Sequence, residues 1–426
     1  MKKPALLLIT ALFLALPILF WAATLTSGLP GSVYLHELGK LVALLGFVIL
    51  TFQYALSSRI QWVERGIGLD VLLGIHRKAG VIALILLLSH PVLFYVSERL
   101  QGYQTPLSFL KLLGVTALLL LLVTAGAALL YGVLPVKYET WMRVHTAGYA
   151  VFVLAFVHSF LMGSDLQRWP MRVVWVGLAI LYIGILAYKL RRRFQIRRDP
   201  YRVSDVVQET HDTWSVHFEG AHPPYKPGQF MRVQLLRGGK VSAPHPFTIA
   251  SSPTEGRLSI SVKSVGDFTA TIGETKTNDR AYLDMPYGRF SFLDFDTDDL
   301  VLIAGGIGIT PFMSMLRYIR DSRMKKNVIL LWGNKTEQDI AFRNELDRME
   351  SEMPSFRVVH VISRQEDFSG EKGTIDAGIL QRHVGDFHAG RFFVCGPPAM
   401  MRAVERTLSD LGVPGKRILS ERFSLR

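Results

Sequence analysis

At 426 residues the chain has room for roughly two to four domains. Hydrophobic residues make up 49% of it and charged residues 19%, with a mean hydropathy above zero. That is too apolar for an ordinary soluble enzyme and too charged for a membrane bundle alone, and a disordered or fibrous chain is excluded. The single cysteine, Cys395, excludes an intrachain disulfide framework, a thiolate zinc site, a cysteine-ligated iron–sulfur cluster and a CxxCH haem attachment.

Uncharged apolar runs lie between Lys3 and His36, Lys40 and Arg59, Lys78 and Glu98, Lys111 and Lys137, Arg143 and Asp165, and Arg172 and Lys189. A bilayer-spanning helix needs roughly 17–25 apolar residues, so six spans are predicted. The last run is slightly short, which snorkelling of Arg172 and Lys189 would cover. The first run has an alternative reading as a cleaved signal peptide, because Met1-Lys2-Lys3 precedes it and Ala22-Ala23 follows. Lys189, Arg191, Arg192, Arg193, Arg197 and Arg198 crowd the exit of the last span, and Arg59, Arg65, Arg77, Lys78, Lys137 and Arg143 fall in loops on that same face. The positive-inside rule therefore places the C-terminal half in the cytoplasm of a multi-pass cell-membrane protein. The net charge of +13 is then explained by topology and anionic lipid, and nucleic-acid binding loses its support.

Past Pro200 the pattern becomes that of a soluble protein. Short, partly alternating runs such as Phe230–Leu236 and Leu258–Val262 predict an antiparallel β-barrel, and from about residue 299 strands alternate with helical patterns, predicting a parallel α/β sheet. The expected organisation is a transmembrane domain over 1–192, a basic linker over 193–200, a barrel domain over 201–296 and an α/β domain over 297–426.

Four histidines of the membrane half form two pairs. His76 and His90 are 14 residues apart in the third run's helix, and His145 and His158 are 13 apart in the fifth. These two spans run in the same direction, so His76 lies level with His145 and His90 with His158, the levels roughly 21 Å apart. Each level offers two imidazoles suited to the axial positions of a haem. At 100° per residue the first spacing leaves about 40° of azimuthal error and the second about 140°, so the fifth span needs a bulge or kink to aim both rings inward. Helix–helix hydrogen bonding is the competing use of such residues. Full axial ligation leaves no open position for substrate and points to electron transfer.

In the soluble half, His245-Pro246-Phe247-Thr248 follows the strand after Pro227-Gly228 and could lay an aromatic ring against a flavin, with the Thr248 hydroxyl near its ring nitrogen. Lys263, Gly266 and Thr269 follow in Lys263-Ser264-Val265-Gly266-Asp267-Phe268-Thr269, where a cation, a glycine and a capping hydroxyl could hold a pyrophosphate. A solvated turn is the alternative. Gly305, Gly306 and Gly308 follow a buried strand, with Thr310 a candidate N-cap and Pro311 the first helical residue. Cys395-Gly396-Pro397 repeats this arrangement at a later strand end, where open α/β sheets bind ligands.

The succession HPFT, KSVGDFT, GGIGITP and CGPPAMM resembles the flavin and nicotinamide domains of the ferredoxin–NADP reductase superfamily. With the four histidines before it, the chain resembles the ferric reductase/NADPH oxidase family, most of all its compact bacterial NADPH oxidases. The resemblance implies one haem b on His76 and His145, a second on His90 and His158, FAD on His245 to Thr248, Lys263, Gly266 and Thr269, and the dinucleotide on Gly305 to Pro311 and Cys395 to Pro397. Thr248, Cys395 and Phe423 would stand closest to the chemistry, Phe423 as the aromatic that shields the flavin. Ser363 and Arg364 would meet a 2′-phosphate, favouring NADPH over NADH. Neither a DxDxDG calcium loop nor a proline-rich tail appears, which implies activity without calcium or an obligatory activator subunit. The expected acceptor is oxygen, giving superoxide, or alternatively a ferric chelate. A membrane sensor or transporter with a cytoplasmic flavin reductase domain is the reading of a different class.

Overall fold

The computed structural model describes residues 3–133, 136 and 138–422 and divides them into two compact units, the second beginning at Gln195. The first unit is helical: α1 (Lys3–Thr24), α2 (Gly31–Leu56), α3 (Gln61–Ile67), α4 (Leu69–Leu100), α5 (Phe109–Leu130), α6 (Tyr138–Thr146), α7 (Gly148–Met162) and α8 (Trp169–Arg198). Among the described residues five helices are long and apolar enough to cross a membrane, with Leu8–Thr24 a shorter apolar helix. The first of the six expected spans falls on α1, which at 22 residues is as long as α5. The last span is a helix of 30 residues rather than a short one, and residues 193–198, expected as a linker, are its final turns.

Two glycines of α2 make room for α4. A Cβ on Gly39 would come within 2.7 Å of the Phe94 ring, and one on Gly46 within 2.8 Å of the Leu87 side chain, so these side chains of α4 fill the space the glycines leave. The bundle core is aromatic: Phe47 stacks on Trp175 at 5.2 Å and Phe152 on Tyr182 at 4.0 Å.

The second unit begins with an antiparallel sheet of seven strands: β1 (Tyr201–Thr210), β2 (Thr213–Glu219), β3 (Phe230–Arg237), β4 (Lys240–Val241), β5 (His245–Thr248), β6 (Leu258–Lys263) and β7 (Arg280–Tyr287), with α9 (Asp267–Ala270) between the last two. The order is β4-β3-β7-β1-β2-β6, and β5 pairs with the start of β3. Alternate residues such as Val216, Phe218, Met231, Val233 and Ile260 are buried and form its core. Beyond β5 the chain meets β6 through one backbone bond, Ala250 N–H to Ser259 O at 2.8 Å, and no ladder joins the two strands. The predicted barrel is therefore an antiparallel sheet without a closed ring of pairing.

A parallel six-stranded sheet follows, built from β8 (Asp299–Gly305), α10 (Thr310–Asp321), β9 (Asn327–Asn334), α11 (Arg343–Glu352), β10 (Phe356–Ile362), β11 (Glu371–Lys372), α12 (Ala377–His383), β12 (Arg391–Cys395), α13 (Pro398–Asp410) and β13 (Ile418–Glu421). Its order is β11-β10-β9-β8-β12-β13. The chain runs outward from β8 to one edge and then returns to β8's other side, which makes the carboxyl ends of β8 and β12 the switch point where such sheets hold ligands.

His360 on β10 packs 5.7 Å from the Trp332 ring, and neither of its ring nitrogens has a hydrogen-bond partner. Burial pushes its pKa below the ordinary 6.5; Arg343 adds to this, while Asp347 and Glu337 oppose it. Because the folded value lies below the unfolded one, the neutral ring's contribution is full above about pH 6.5 and is lost as pH falls through the folded value. His217 acts in the same sense, again chiefly through burial. His360→Phe is expected to flatten the acid limb of thermal stability below pH 6.5, read by unfolding scans from pH 7.5 to 5. An acid limb as steep as the parent's would reject this account.

Candidate functional site

In the helical unit, His76 of α4 and His145 of α6 face each other with ring centroids 6.1 Å apart and planes at 82°. With about 2 Å from a metal to each nitrogen and about 1 Å from nitrogen to ring centre, two axial imidazoles lie roughly 6 Å apart, so this gap admits one metal between them. His90 of α4 lies within electrostatic reach of His158 of α7. Between His145 and His158 the helix of the fifth span is interrupted at Ala147. There the chain leaves α6 and enters α7, and Ala147 N–H is shared between Arg143 O at 3.3 Å and Val144 O at 3.1 Å.

Backbone carbonyls fix the other ring nitrogens. His90 Nδ1–H donates to Leu87 O at 2.7 Å, His158 Nδ1–H to Leu110 O at 2.7 Å, and His145 Nδ1–H to Thr124 O at 3.3 Å. A carbonyl only accepts, so each Nδ1 carries the proton and each Nε2 keeps its lone pair for a metal. Sequence explains two of these bonds. Pro91 lies inside α4 and has no N–H, which frees the carbonyl four residues back, that of Leu87, for His90. Gly114 clears the space for His158, since a Cβ there would come within 2.8 Å of its ring. His76 Nδ1 is buried without a hydrogen-bond partner. Four half-buried imidazoles, three with fixed tautomers and two at sandwich distance, fit haem irons.

In the antiparallel sheet the first two soluble motifs meet. The His245 ring stacks on Phe268 at 3.9 Å and 14°, with Phe247 6.0 Å from Phe268. Pro246 is exposed, whereas Thr248 pairs with Phe230 and is buried. Thr269 Oγ1 accepts from Val265 N–H at 3.0 Å and Gly266 N–H at 2.8 Å, so this turn caps itself. Lys263 is paired with Asp212 at 3.0 Å and Asp339 at 3.1 Å. Burial alone would lower its pKa, but its bonds to the two carboxylates outweigh that and hold it above the ordinary lysine value. To meet a pyrophosphate it would exchange one of these partners.

At the switch point two glycine-rich turns interlock. A Cβ on Gly308 would stand 2.2 Å from Cys395 O, and one on Gly396 would stand 3.0 Å from Gly305 Cα. A Cβ on Gly305 would meet Met400 Sδ at 2.3 Å, with Pro397 Cδ next at 2.8 Å. Gly306 alone of this group has φ +51 and open space where a Cβ would be, so it is the point of the turn that a phosphate can approach. Thr310 is not the N-cap: it already has helical geometry, and its hydroxyl donates to Ile307 O at 3.1 Å, with Pro311 in the first turn. Cys395 is completely buried, and burial, helped by the Glu421 charge, pushes its thiol well above the ordinary value. The sulfur is therefore held as a neutral thiol at the end of β12. Phe423 lies outside the described residues.

Three segments match known families: a ferric reductase like transmembrane component over residues 42–156, an FAD-binding domain over 201–295 and an oxidoreductase NAD-binding domain over 302–406. Residues 42–156 are thus a ferric reductase-like transmembrane domain. The chain's second unit carries an FAD-binding domain followed by an oxidoreductase NAD-binding domain. This chain is 30% identical over 238 residues to the glycine betaine monooxygenase reductase subunit of Chromohalobacter salexigens, covering 53% of the chain and 64% of that relative. It is 30% identical over 212 residues to sulfhydrogenase 2 subunit gamma of Pyrococcus furiosus, covering 46% of the chain and 70% of the relative. It thus spans less than two thirds of the first of these. A ferredoxin NADP+ reductase from Neisseria gonorrhoeae, solved with FAD and NADP, aligns at 23% identity and TM-score 0.47 over 53% of this chain and 98% of its own.

Sequence reading missed one residue of the reductase module. Asn334, at the carboxyl end of β9, is 6% exposed with neither amide atom hydrogen-bonded. Its backbone carbonyl accepts from Ser363 N–H at 3.0 Å and Ser363 Oγ at 3.1 Å, and Lys335 O accepts from Arg364 N–H at 2.8 Å. Ser363 and Arg364 are thereby tied to the end of β9. The available signal was Asn334's place at the end of a buried strand beside the glycine turn.

Proposed function

We propose that this protein is a transmembrane oxidoreductase of the cell membrane. It takes electrons from cytoplasmic NADPH and passes them, by way of FAD and two haem b groups, to an acceptor on the opposite face. Oxygen, giving superoxide, is the first acceptor and a ferric chelate the second. When bound, FAD supplies hydride acceptance from the nicotinamide, and the irons supply one-electron transfer.

The chain's own residues have defined tasks. His76 with His145, and His90 with His158, would hold the irons, and the carbonyls of Leu87, Leu110 and Thr124 keep the ligating lone pairs aimed. Gly306 leaves room for the pyrophosphate of the dinucleotide, while Ser363 and Arg364 offer a hydroxyl and a guanidinium for a 2′-phosphate. His245 to Thr248 and Phe268 form the aromatic edge against which the flavin would lie. Electron movement out of a negative interior is favourable by about 2.3 kcal/mol per 100 mV for full crossing.

The observation that carries this reading is the 6.1 Å His76–His145 gap inside an apolar bundle, on a chain with an FAD- and NAD-binding module. Purified protein is expected to show a b-type haem signal in a reduced-minus-oxidised absorption spectrum after anaerobic addition of NADPH. A spectrum without haem bands would reject the relay. Rates with oxygen and ferric chelate in parallel, and their sensitivity to superoxide dismutase, assign the acceptor.

A further inference from the structure

α10 connects two parts of the reductase module that no motif links. Its first turn grows out of the Gly305–Ile309 turn at the switch point. Further along, Ser314, Arg317 and Asp321 recur at i, i+3 and i+7 and so share one face of the helix. All three bond to residues 250–254, the segment that continues β5 beyond Thr248. Ser314 Oγ donates to Ser251 O at 2.6 Å, Arg317 Nη1 to Ala250 O at 2.7 Å, and Thr254 Oγ1 to Asp321 Oδ2 at 2.6 Å.

Both ends of this connection are anchored. Arg317 forks onto Glu345 of α11 at 2.8 and 2.6 Å, and its guanidinium lies 5.5 Å from the centre of the Phe342 ring. On the other side, Ser251 is held by the Tyr225 hydroxyl at 3.1 Å and by Ser259 N–H at 3.0 Å. Arg317 is 12% and Glu345 21% exposed at the side chain, so water screens the pair weakly. Burial would weaken both charges, yet the fork outweighs it, keeping the guanidinium above and the carboxyl below their ordinary values.

We infer that Arg317 is a positioning residue for hydride transfer: it fixes the glycine turn that would carry the dinucleotide relative to the strand that would carry the flavin. This rests on the NADPH and FAD reading above. In the reaction served, NADPH gives up a hydride from its nicotinamide and becomes NADP+, while FAD takes that hydride with one proton from water. Reacting atoms must sit within about 3–3.5 Å, and a misplacement of about 1 Å costs up to roughly 100-fold. A rod anchored at both ends is a physical means of holding that tolerance.

The test uses full-length, FAD-loaded protein mixed anaerobically with NADPH, with flavin reduction followed by its absorbance. Arg317→Lys keeps the charge but loses the fork. It is expected to slow flavin reduction by roughly 10-fold at saturating NADPH, with half-saturation within about 2-fold of the parent and FAD content unchanged. The long-wavelength charge-transfer band between nicotinamide and flavin, which reports ring stacking, is expected to weaken in parallel. Ser314→Ala removes one neutral bond and gives a smaller fall, about 2- to 3-fold, should the arginine variant not fold. An unchanged rate and band, or a defect cured by more NADPH or added FAD, would overturn the inference. A parent protein that NADPH does not reduce at all overturns the functional reading instead.

Discussion

His90→Ala and His158→Ala are each expected to leave the protein with one of its two haems and to abolish reduction of an external acceptor. NADPH-driven reduction of a soluble dye at the flavin is expected to continue. Each ring has its Nδ1–H committed to a carbonyl, at 2.7 Å in both cases, so Nε2 is the only atom left to bind iron and no rearrangement of the same ring replaces it. Removing a supporting partner of a metal ligand costs roughly 10- to 100-fold, and removing the ligand itself exceeds that. Haem content by pyridine haemochrome, iron per flavin, and the two reduction rates measured side by side check this. Full haem content with undiminished external reduction in both variants would refute the ligand assignment.

Gly308→Ala is expected to destabilise the reductase module and to weaken NADPH binding strongly. The added Cβ would stand 2.2 Å from the carbonyl oxygen of Cys395 and 2.6 Å from its carbon. These are backbone atoms of a buried strand end and cannot rotate aside, so the two turns must separate. Overpacking of this kind costs typically about 1–3 kcal/mol, and here it also opens the ligand end of the sheet. Gly306→Ala is the contrasting change: its Cβ meets nothing within 4 Å, but φ is +51. Its cost is backbone strain, about 1–2 kcal/mol, and its main effect falls on the phosphate approach. Thermal unfolding and NADPH titration separate the two. Equal melting temperatures for parent and Gly308→Ala would show that the turns do not pack as described.

The architecture was largely legible because each class of element has a local signature. Uninterrupted apolar runs read as helices, and the actual helices extend past them where charged residues still favour helix, as in α4 before Lys78 and α8 after Lys189. Short alternating strands and the strand–glycine turn–helix succession at Leu302–Pro311 also follow from local rules. What failed was long-range or a matter of one atom. Closure of the antiparallel sheet depends on whether β5 and β6 pair, and neither strand's composition decides that. The Thr310 hydroxyl has N-cap chemistry, but the turn of Gly306–Ile309 already supplies helical geometry, so it donates where capping required it to accept.

The sequence alone determined that four histidines fall at two depths of an apolar bundle and that a two-part reductase module follows, because apolar run length and residue spacing are properties of one segment at a time. Only the tertiary structure decided that Ala147 interrupts the fifth span, that Leu87 O is handed from Pro91 to His90, and that Gly308 spends its missing side chain on Cys395. It also decided that Arg317 joins α10 to the strand after Thr248. Each of these depends on which carbonyls and faces distant segments bring together, and close packing in three dimensions settles that.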